Sequence, residues 1–290
     1  MHHALVTDPT APEALPEPAI PPFSVLLSLY QGERAEYFEQ CLQSIAEQSW
    51  PAAEIVLVLD GPIGDELTAV LERWRGRLPL VVTALPTNQG LGLALAHGMA
   101  LCHHDLVVRV DTDDVSQPWR FERQIDFMEH NPQLAVCGSC MWEIDPETQE
   151  PLGRKTVPET DGAIRAMLPF RNPFNHPTVV LRRGAVLAAG NYQDFPLAED
   201  YHLWLPLLAG GGQGWNLQDD LVLARTGNDM LRRRRGWPYV RTEYRLYRTK
   251  RQLRLSNPVT AFVVFILRTI PRLLPLPLLR PLYRLLRSNR

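Results

Sequence analysis

The sequence predicts an α/β protein: a mostly parallel central sheet flanked by helices. Three observations predict it. Short apolar, β-branched runs alternate with amphipathic stretches of about a dozen residues, the pattern of βαβ units. The runs have the length of buried strands. Three of them also end in polar residues, at Tyr30, at Asp60 and at Asp111-Thr112-Asp113-Asp114. In open parallel sheets, ligands bind beyond the carboxyl ends of the strands.

In order, Phe23 to Tyr30 is the first strand, and Gln31-Gly32-Glu33-Arg34 breaks it. Glu36 to Gln48 carries Phe38, Leu42, Ile45 and Ala46 at helical spacing, which gives one apolar face. Ile55 to Leu59 is the second strand, stopped by Asp60-Gly61-Pro62, and Asp65 to Arg75 the second helix. Leu80 to Leu85 is the third strand, Leu91 to Cys102 a helix of small residues and Leu106 to Val110 the fourth strand. Pro118 to Glu129 reads as a helix with Pro at its start and Asn131-Pro132 as its stop. Leu134 to Trp142 is a strand, Asp145 to Asp161 polar and irregular, and Thr178 to Leu181 a further strand. Glu199-Asp200 opens an amphipathic helix, where the dipole stabilises negative charge; ordinary N-terminal capping is the alternative reading.

Charge divides the chain. Residues 225–290 hold 17 Lys+Arg and 2 Asp+Glu, on a chain whose net charge is −2. Arg232 to Arg235 is a run of arginines, and Pro258 to Leu267 is strongly apolar but too short to span a bilayer. Basic heads among leucines suit a segment lying in an anionic membrane interface. Packing on the body or on a partner is the other reading, and nucleic acid is not an expected partner. Residues 1–22 read as a disordered lead-in without the apolar core of a signal peptide.

Two motifs carry less. Cys137-Gly138-Ser139-Cys140 has C-x-x-C spacing but no second pair to complete a zinc site, and it lies in an apolar run. It reads as buried, inert cysteines, which favours a reducing compartment. Gly90-Leu91-Gly92 lacks the third glycine of a dinucleotide loop, since Leu95 stands there. A tight turn opening a helix is the plainer reading.

The acids of residues 111–114 carry most. Three carboxylates within four residues repel one another and resist joint ionisation. A divalent cation with oxygen ligands answers that repulsion; a solvated acidic turn is the bland alternative.

These residues support a resemblance. Ser24-Val25-Leu26-Leu27-Ser28-Leu29-Tyr30, Glu54-Ile55-Val56-Leu57-Val58-Leu59-Asp60-Gly61, Asn88-Gln89-Gly90-Leu91, Asp111-Thr112-Asp113-Asp114, Asn172-Pro173-Phe174-Asn175-His176-Pro177-Thr178 and Glu199-Asp200 occur in this order. From about Phe23 to Leu223 the chain resembles the family 2 glycosyltransferases, inverting nucleotide-sugar enzymes of GT-A fold. It looks most like bacterial members that build cell-surface polysaccharide.

The resemblance implies roles. Ser28, Tyr30, Asp60, Asn88, Asp111 and Asp113 would bind the donor, with Asp60 reading the base. Asp113 and Asp114 would hold a divalent cation, Mn2+ or Mg2+. Asp200 matches the catalytic base, with His176 and Glu199 on the acceptor side. Family habit makes a UDP-sugar the expected donor and a lipid-linked glycan the expected acceptor. The implied organisation is a GT-A domain over 23–224 and a membrane-interface tail over 225–290, in a protein peripheral to the cytoplasmic face of the plasma membrane. Leu59 stands where the family often has a second acid, Gln31 where it often has Asn and His97 where Asn is common. A sugar-phosphate nucleotidyltransferase would want a Gly-rich, basic loop after the first strand, which Tyr30-Gln31-Gly32-Glu33-Arg34 does not supply. A non-enzymatic membrane-binding module is the remaining alternative.

Overall fold

The computed structural model describes residues 20–226 and 236–273. The lead-in up to residue 19, the arginine run Arg232 to Arg235 and the prolines beyond 273 lie outside the described residues.

The first half is built as the hydrophobic periodicity dictates: β1 (Ser24–Leu29), α1 (Ala35–Ala46), β2 (Glu54–Leu59), α2 (Asp65–Trp74), β3 (Leu80–Ala84), α3 (Leu91–Leu101), β4 (Leu106–Arg109) and α4 (Arg120–Glu129). Strands β3, β2, β1 and β4 lie side by side, all parallel. Side chains alternate across a strand, and here both faces are covered. Val25, Leu27, Leu29, Ile55 and Leu57 meet Phe38, Leu42 and Leu71 from α1 and α2 on one face. Leu26, Val56 and Val58 meet Leu95 and Met99 of α3 on the other, continuous with Leu203 and Trp204. Each such Leu or Val, fully buried, contributes about 1.5–3 kcal/mol relative to exposure.

Beyond β4 the sheet becomes mixed. The order continues through β8 (Val180–Arg182), β6 (Leu134–Ile144), β9 (Gln213–Arg225) and β5 (Val115–Ser116), with β7 (Pro151–Lys155) paired on β6. Strand β8 runs antiparallel to β4 and β6, while β9 runs parallel to β6 and antiparallel to β5. The helices of this half are α5 (Asp161–Met167), α6 (Arg183–Ala188) and α7 (Glu199–Ala209).

Several expectations are corrected. The segment 145–161 is not wholly irregular, because β7 forms a hairpin with β6 there. Strand β6 runs to Ile144, past Trp142. The strand expected from Thr178 begins at Val180, because His176–Thr178 is a 3-10 turn with Pro at its start. The helix expected from Pro118 begins at Arg120. The proposed boundary at 224/225 falls inside β9. As expected, by contrast, Cys137 and Cys140 are free and buried, and burial pushes the Cys137 thiol up to about 12.

Two more helices, α8 (Gly236–Gln252) and α9 (Pro258–Leu273), pair with each other, and α8 packs on α7. The described part of the basic tail therefore lies against the body. The Arg268 guanidinium bonds both Glu243 oxygens at 2.7 and 2.8 Å, joining α9 to α8. Lys250 donates to the Pro169 carbonyl at 3.0 Å and lies 4.5 Å over the Tyr201 ring.

Candidate active site

The parallel register brings three strand ends together. Leu29 lies opposite Leu59, so Tyr30 and Asp60 emerge side by side, and the Asp60 amide donates to the Leu29 carbonyl at 2.7 Å. On the other flank Val110 donates to the Leu26 carbonyl, and the Thr112 hydroxyl to the Ser28 carbonyl at 3.4 Å. Tyr30 is exposed and Asp60 buried.

Asp60 is already engaged. Its carboxylate accepts the amides of Gln89 and Gly90 at 2.7 and 2.9 Å, and Asn88 Nδ2 donates to its carbonyl at 3.3 Å. The approach requires glycine at 61: with φ +85°, a Cβ there would stand 2.6 Å from the Asn88 amide nitrogen. Gly90 also has positive φ, +90°, at the N-cap of α3. Gly92 serves close packing: a Cβ on it would meet the Gln193 carbonyl at 2.5 Å and Glu199 Cβ at 3.1 Å. The turn reading of Gly90-Leu91-Gly92 thus gains a purpose, since α3 begins flush against the start of α7.

The acidic loop is held from both sides. Asp111, Asp113 and Asp114 offer oxygens within 4.8 Å of one another. Arg109, 1% exposed, grips both Asp111 oxygens with its two Nη atoms. The Arg225 amide donates to Asp114 Oδ1 at 2.9 Å, and its guanidinium reaches the Asp113 carbonyl, Gln40 and the face of Tyr37. Glu33 adds a fourth acid, accepting from the Thr112 hydroxyl at 3.1 Å.

The electrostatics follow. Burial, then the charges of Asp111 and Glu33, push the Asp113 carboxyl up to about 7. Burial and Asp113 push Asp114 well above its ordinary value, and burial raises Glu33. Burial works most strongly against the Arg109 charge, but Asp111, Tyr192 and Asp114 together outweigh it and the pKa stays raised. Behind it the buried Arg120, which donates to the Arg109 carbonyl at 2.8 Å, is lowered to about 9 by burial and by Arg109. The Nε atoms of Arg109 and Arg225 are buried without a partner among the described residues. A cluster with excess negative charge and oxygen-only donors fits a hard divalent cation. Asp113 and Asp114 are the residues that could hold it, because Asp111 is taken up by Arg109.

The charge of Arg109 also acts on a second acidic pair, Glu199 and Asp200. Asp200 accepts Asn172 Nδ2 at 2.6 Å and the Tyr201 amide at 2.6 Å. Its carboxyl is raised, chiefly by burial. Glu199 is raised to about 7 by burial and then by Asp200. His176, buried, bonds the Tyr192 hydroxyl at 3.0 Å and packs edge-on to Trp204. Burial, then Arg109, holds its imidazole well below the usual range, so it is neutral. The positive charge of Arg109 acts on both acid groups and on His176.

Of the residues singled out in the sequence, Asp60 and Asn88 meet beyond β2, Asp111, Asp113 and Asp114 share the acidic loop, and Glu199 and Asp200 open α7. Arg109, Arg225 and Glu33 were not among them. A lone Arg in the run Leu106-Val107-Val108-Arg109-Val110 is a visible signal, since an arginine in a buried strand needs an acid beside it. Arg225 carries no comparable signal, for it reads as the first residue of a basic tail.

A parallel nucleotide-binding half joined to a mixed half, with acids at the junction, is the architecture of GT-A glycosyltransferases. The pattern described as "Glycosyl transferase family 2" matches residues 24–188, and the chain belongs to that family. It is 43% identical to the amylovoran biosynthesis glycosyltransferase AmsE of Erwinia amylovora, over 90% of this chain and 97% of that one. It is 34% identical to an Escherichia coli UDP-Gal:alpha-D-GlcNAc-diphosphoundecaprenol beta-1,3-galactosyltransferase, over 79% of this chain and 84% of that one. In fold it is similar to residues 1–349 of S. aureus TarS, with a TM-score of 0.64 and 20% identity over 85% of this chain and 71% of that one. TarS 1–349 is also solved in complex with UDP-GlcNAc.

Proposed function

We propose that this glycosyltransferase moves a sugar from a UDP-sugar to a lipid-linked glycan acceptor, with inversion, in cell-surface polysaccharide synthesis. One observation carries the reading: the acids at 111–114 and the pair Glu199–Asp200 both lie within the electrostatic reach of the buried Arg109. One group suits a donor diphosphate and the other an acceptor hydroxyl. The E. coli relative's name supports the donor and acceptor classes, since it uses UDP-Gal and a diphosphoundecaprenol-linked sugar.

In this reading Ser28, Tyr30, Asp60, Asn88 and Asp111 frame the nucleotide. A divalent cation, Mn2+ or Mg2+, on Asp113 and Asp114 supplies Lewis-acid stabilisation of the departing diphosphate. Asp200 takes the acceptor hydroxyl's proton. Asn172 and the Tyr201 amide hold its carboxylate in place, and burial makes it more basic than a free aspartate. Glu199 and neutral His176 frame the acceptor. Attack from the side opposite the diphosphate inverts the anomeric carbon. The corresponding location is peripheral, at the cytoplasmic face of the plasma membrane.

The test offers the purified protein a panel of nucleotide sugars with manganese or with chelator and measures nucleotide release. A UDP-sugar is expected to turn over only with metal. Asp200→Asn is expected to lose transfer by about 100-fold or more while binding UDP as the wild type does. Wild-type transfer by that variant, or turnover indifferent to chelation, would sink the base or the metal assignment respectively.

A further inference from the structure

Helix α9 has two faces. Ala261 and Thr269 are buried, and Val264, Phe265 and Arg268 line a small cavity with Glu243, Tyr247 and Lys250 of α8. The opposite face carries Val259, Phe262, Val263, Leu267, Ile270 and Leu273, all exposed, with Val259 at 72% and Leu267 at 66%. Their spacing of three and four residues makes one continuous stripe along 16 helical residues. An apolar stripe of this length is costly in water and marks a contact surface.

Two neighbouring features indicate what the stripe contacts. The first is charge and aromatic character. Tyr244 of α8, exposed, lies 6.1 Å from Phe265, and exposed Arg241 and Arg248 stand at i−3 and i+4 from it. Trp237, at the start of α8, is 75% exposed. Exposed tyrosine, tryptophan and arginine on the helix that pairs with the apolar stripe are the composition of a lipid–water interface. No described helix is long and apolar enough to cross a membrane, so the stripe would lie in the surface plane.

The second is continuity with the acceptor side. Arg268 Nη1 donates to the carbonyl of Phe170, itself 49% exposed. Two residues on, Asn172 holds Asp200. Lys250 and Arg268 both lie over the ring of Tyr201, the neighbour of Asp200. The stripe is therefore fixed relative to Asp200 through side-chain contacts.

We propose that the exposed face of α9, together with exposed Arg241, Arg248, Tyr244 and Trp237 of its paired helix α8, seats on an anionic lipid surface and turns the Asp200 side of the protein toward it. The proposal deepens the lipid-linked-acceptor reading and rests on it for the identity of the substrate. The occupant is lipid because the paired helix exposes Arg241 and Arg248 and residues 225–290 hold 17 Lys+Arg against 2 Asp+Glu.

The test uses the full chain with vesicles of phosphatidylcholine, with or without phosphatidylglycerol, in a flotation assay. Deleting everything from Arg225 is the wrong variant, because it cuts β9 and removes the Arg225 clamp on Asp114. Phe262→Glu with Leu267→Glu changes only exposed positions, and its melting curve reports folding separately. The wild type is expected to float with the anionic vesicles and to release in high salt. The apolar-face double variant is expected to bind at least about tenfold more weakly. Arg241→Glu with Arg248→Glu is expected to lose about fivefold or more per arginine. Equal binding by wild type and variants, equal binding to neutral and anionic vesicles, or no flotation would overturn the proposal. So would a dimer that the Glu substitutions dissolve, since the face would then bind a second copy. Anionic-vesicle binding by a chain that neither binds UDP nor turns over a UDP-sugar would support the surface and overturn the donor reading.

Discussion

Arg109 and Asp111 form a two-pronged ion pair two residues apart, with the guanidinium 1% exposed at the end of β4. The pair divides the acidic loop into a part already neutralised and a part that is not. Breaking one side of a buried ion pair costs about 3–5 kcal/mol, because the other charge stays behind. Arg109→Met is expected to lose about that much in urea denaturation. It is also expected to be stabilised by Mn2+ more than the wild type is, since the acids it uncovers can recruit the ion. Unchanged stability would show that Asp111 is neutralised by something else.

Asp60 is expected to matter for folding as well as for donor binding. Its two oxygens accept two backbone amides, and Asp60→Asn sets an NH2 group against one of them. A buried donor left unpaired costs about 1–3 kcal/mol. The variant should melt earlier even without nucleotide, and UDP affinity should fall further. If affinity fell with no loss of stability, Asp60 would be a recognition residue alone.

Glu199 gives a stability slope of known sign. In the folded chain its carboxyl is raised to about 7, by burial first and then by Asp200. An unfolded glutamate titrates near 4.3. Between those values the folded state holds the proton and the unfolded state has released it. Stability from this group therefore falls as pH rises from about 4.3 to 7 and is flat above. Glu199→Gln should remove on the order of 2 kcal/mol of the stability lost between pH 5 and pH 8, allowing for partial exposure. Denaturant midpoints at the two pH values read this directly, and an identical slope in both proteins would refute it.

Gly92 joins the two halves of the site at one point of contact. Gly92→Val would place methyl groups where the Gln193 carbonyl and Glu199 already stand. Overpacking of this kind costs about 1–3 kcal/mol. The expected result is a fall in transfer rate with UDP binding much less affected, because the displaced segment carries Asp200. A rate equal to wild type would mean the segment yields without moving the base.

Much of this was legible in the sequence. The strands β1 to β4 and helices α1 to α4 follow hydrophobic periodicity because both faces of that sheet half are packed. The convergence of Tyr30, Asp60 and the acidic loop follows from parallel order alone. The second half was harder. Strand β7, Pro151-Leu152-Gly153-Arg154-Lys155, pairs only with β6 and is mostly exposed, so nothing forces an apolar pattern on it. Strand β9 contains Asn216, Gln218, Asp219 and Asp220, and its register with β6 shifts at three places, which breaks the alternation that marks a strand. Arg225, the last residue of that strand, escaped because it reads as the start of the basic tail.

The clamp on Asp114 also has a consequence in time. The acids at 111–114 leave the ribosome more than 100 residues before the arginine that pins them. Until β9 is made and laid beside β6, the nascent chain exposes a half-built, strongly negative loop next to unpaired strand edges. Chains above about 150 residues are prone to misassemble at such a stage. The order of synthesis therefore puts the closing of the acidic loop late in folding, after β9 has paired with β6.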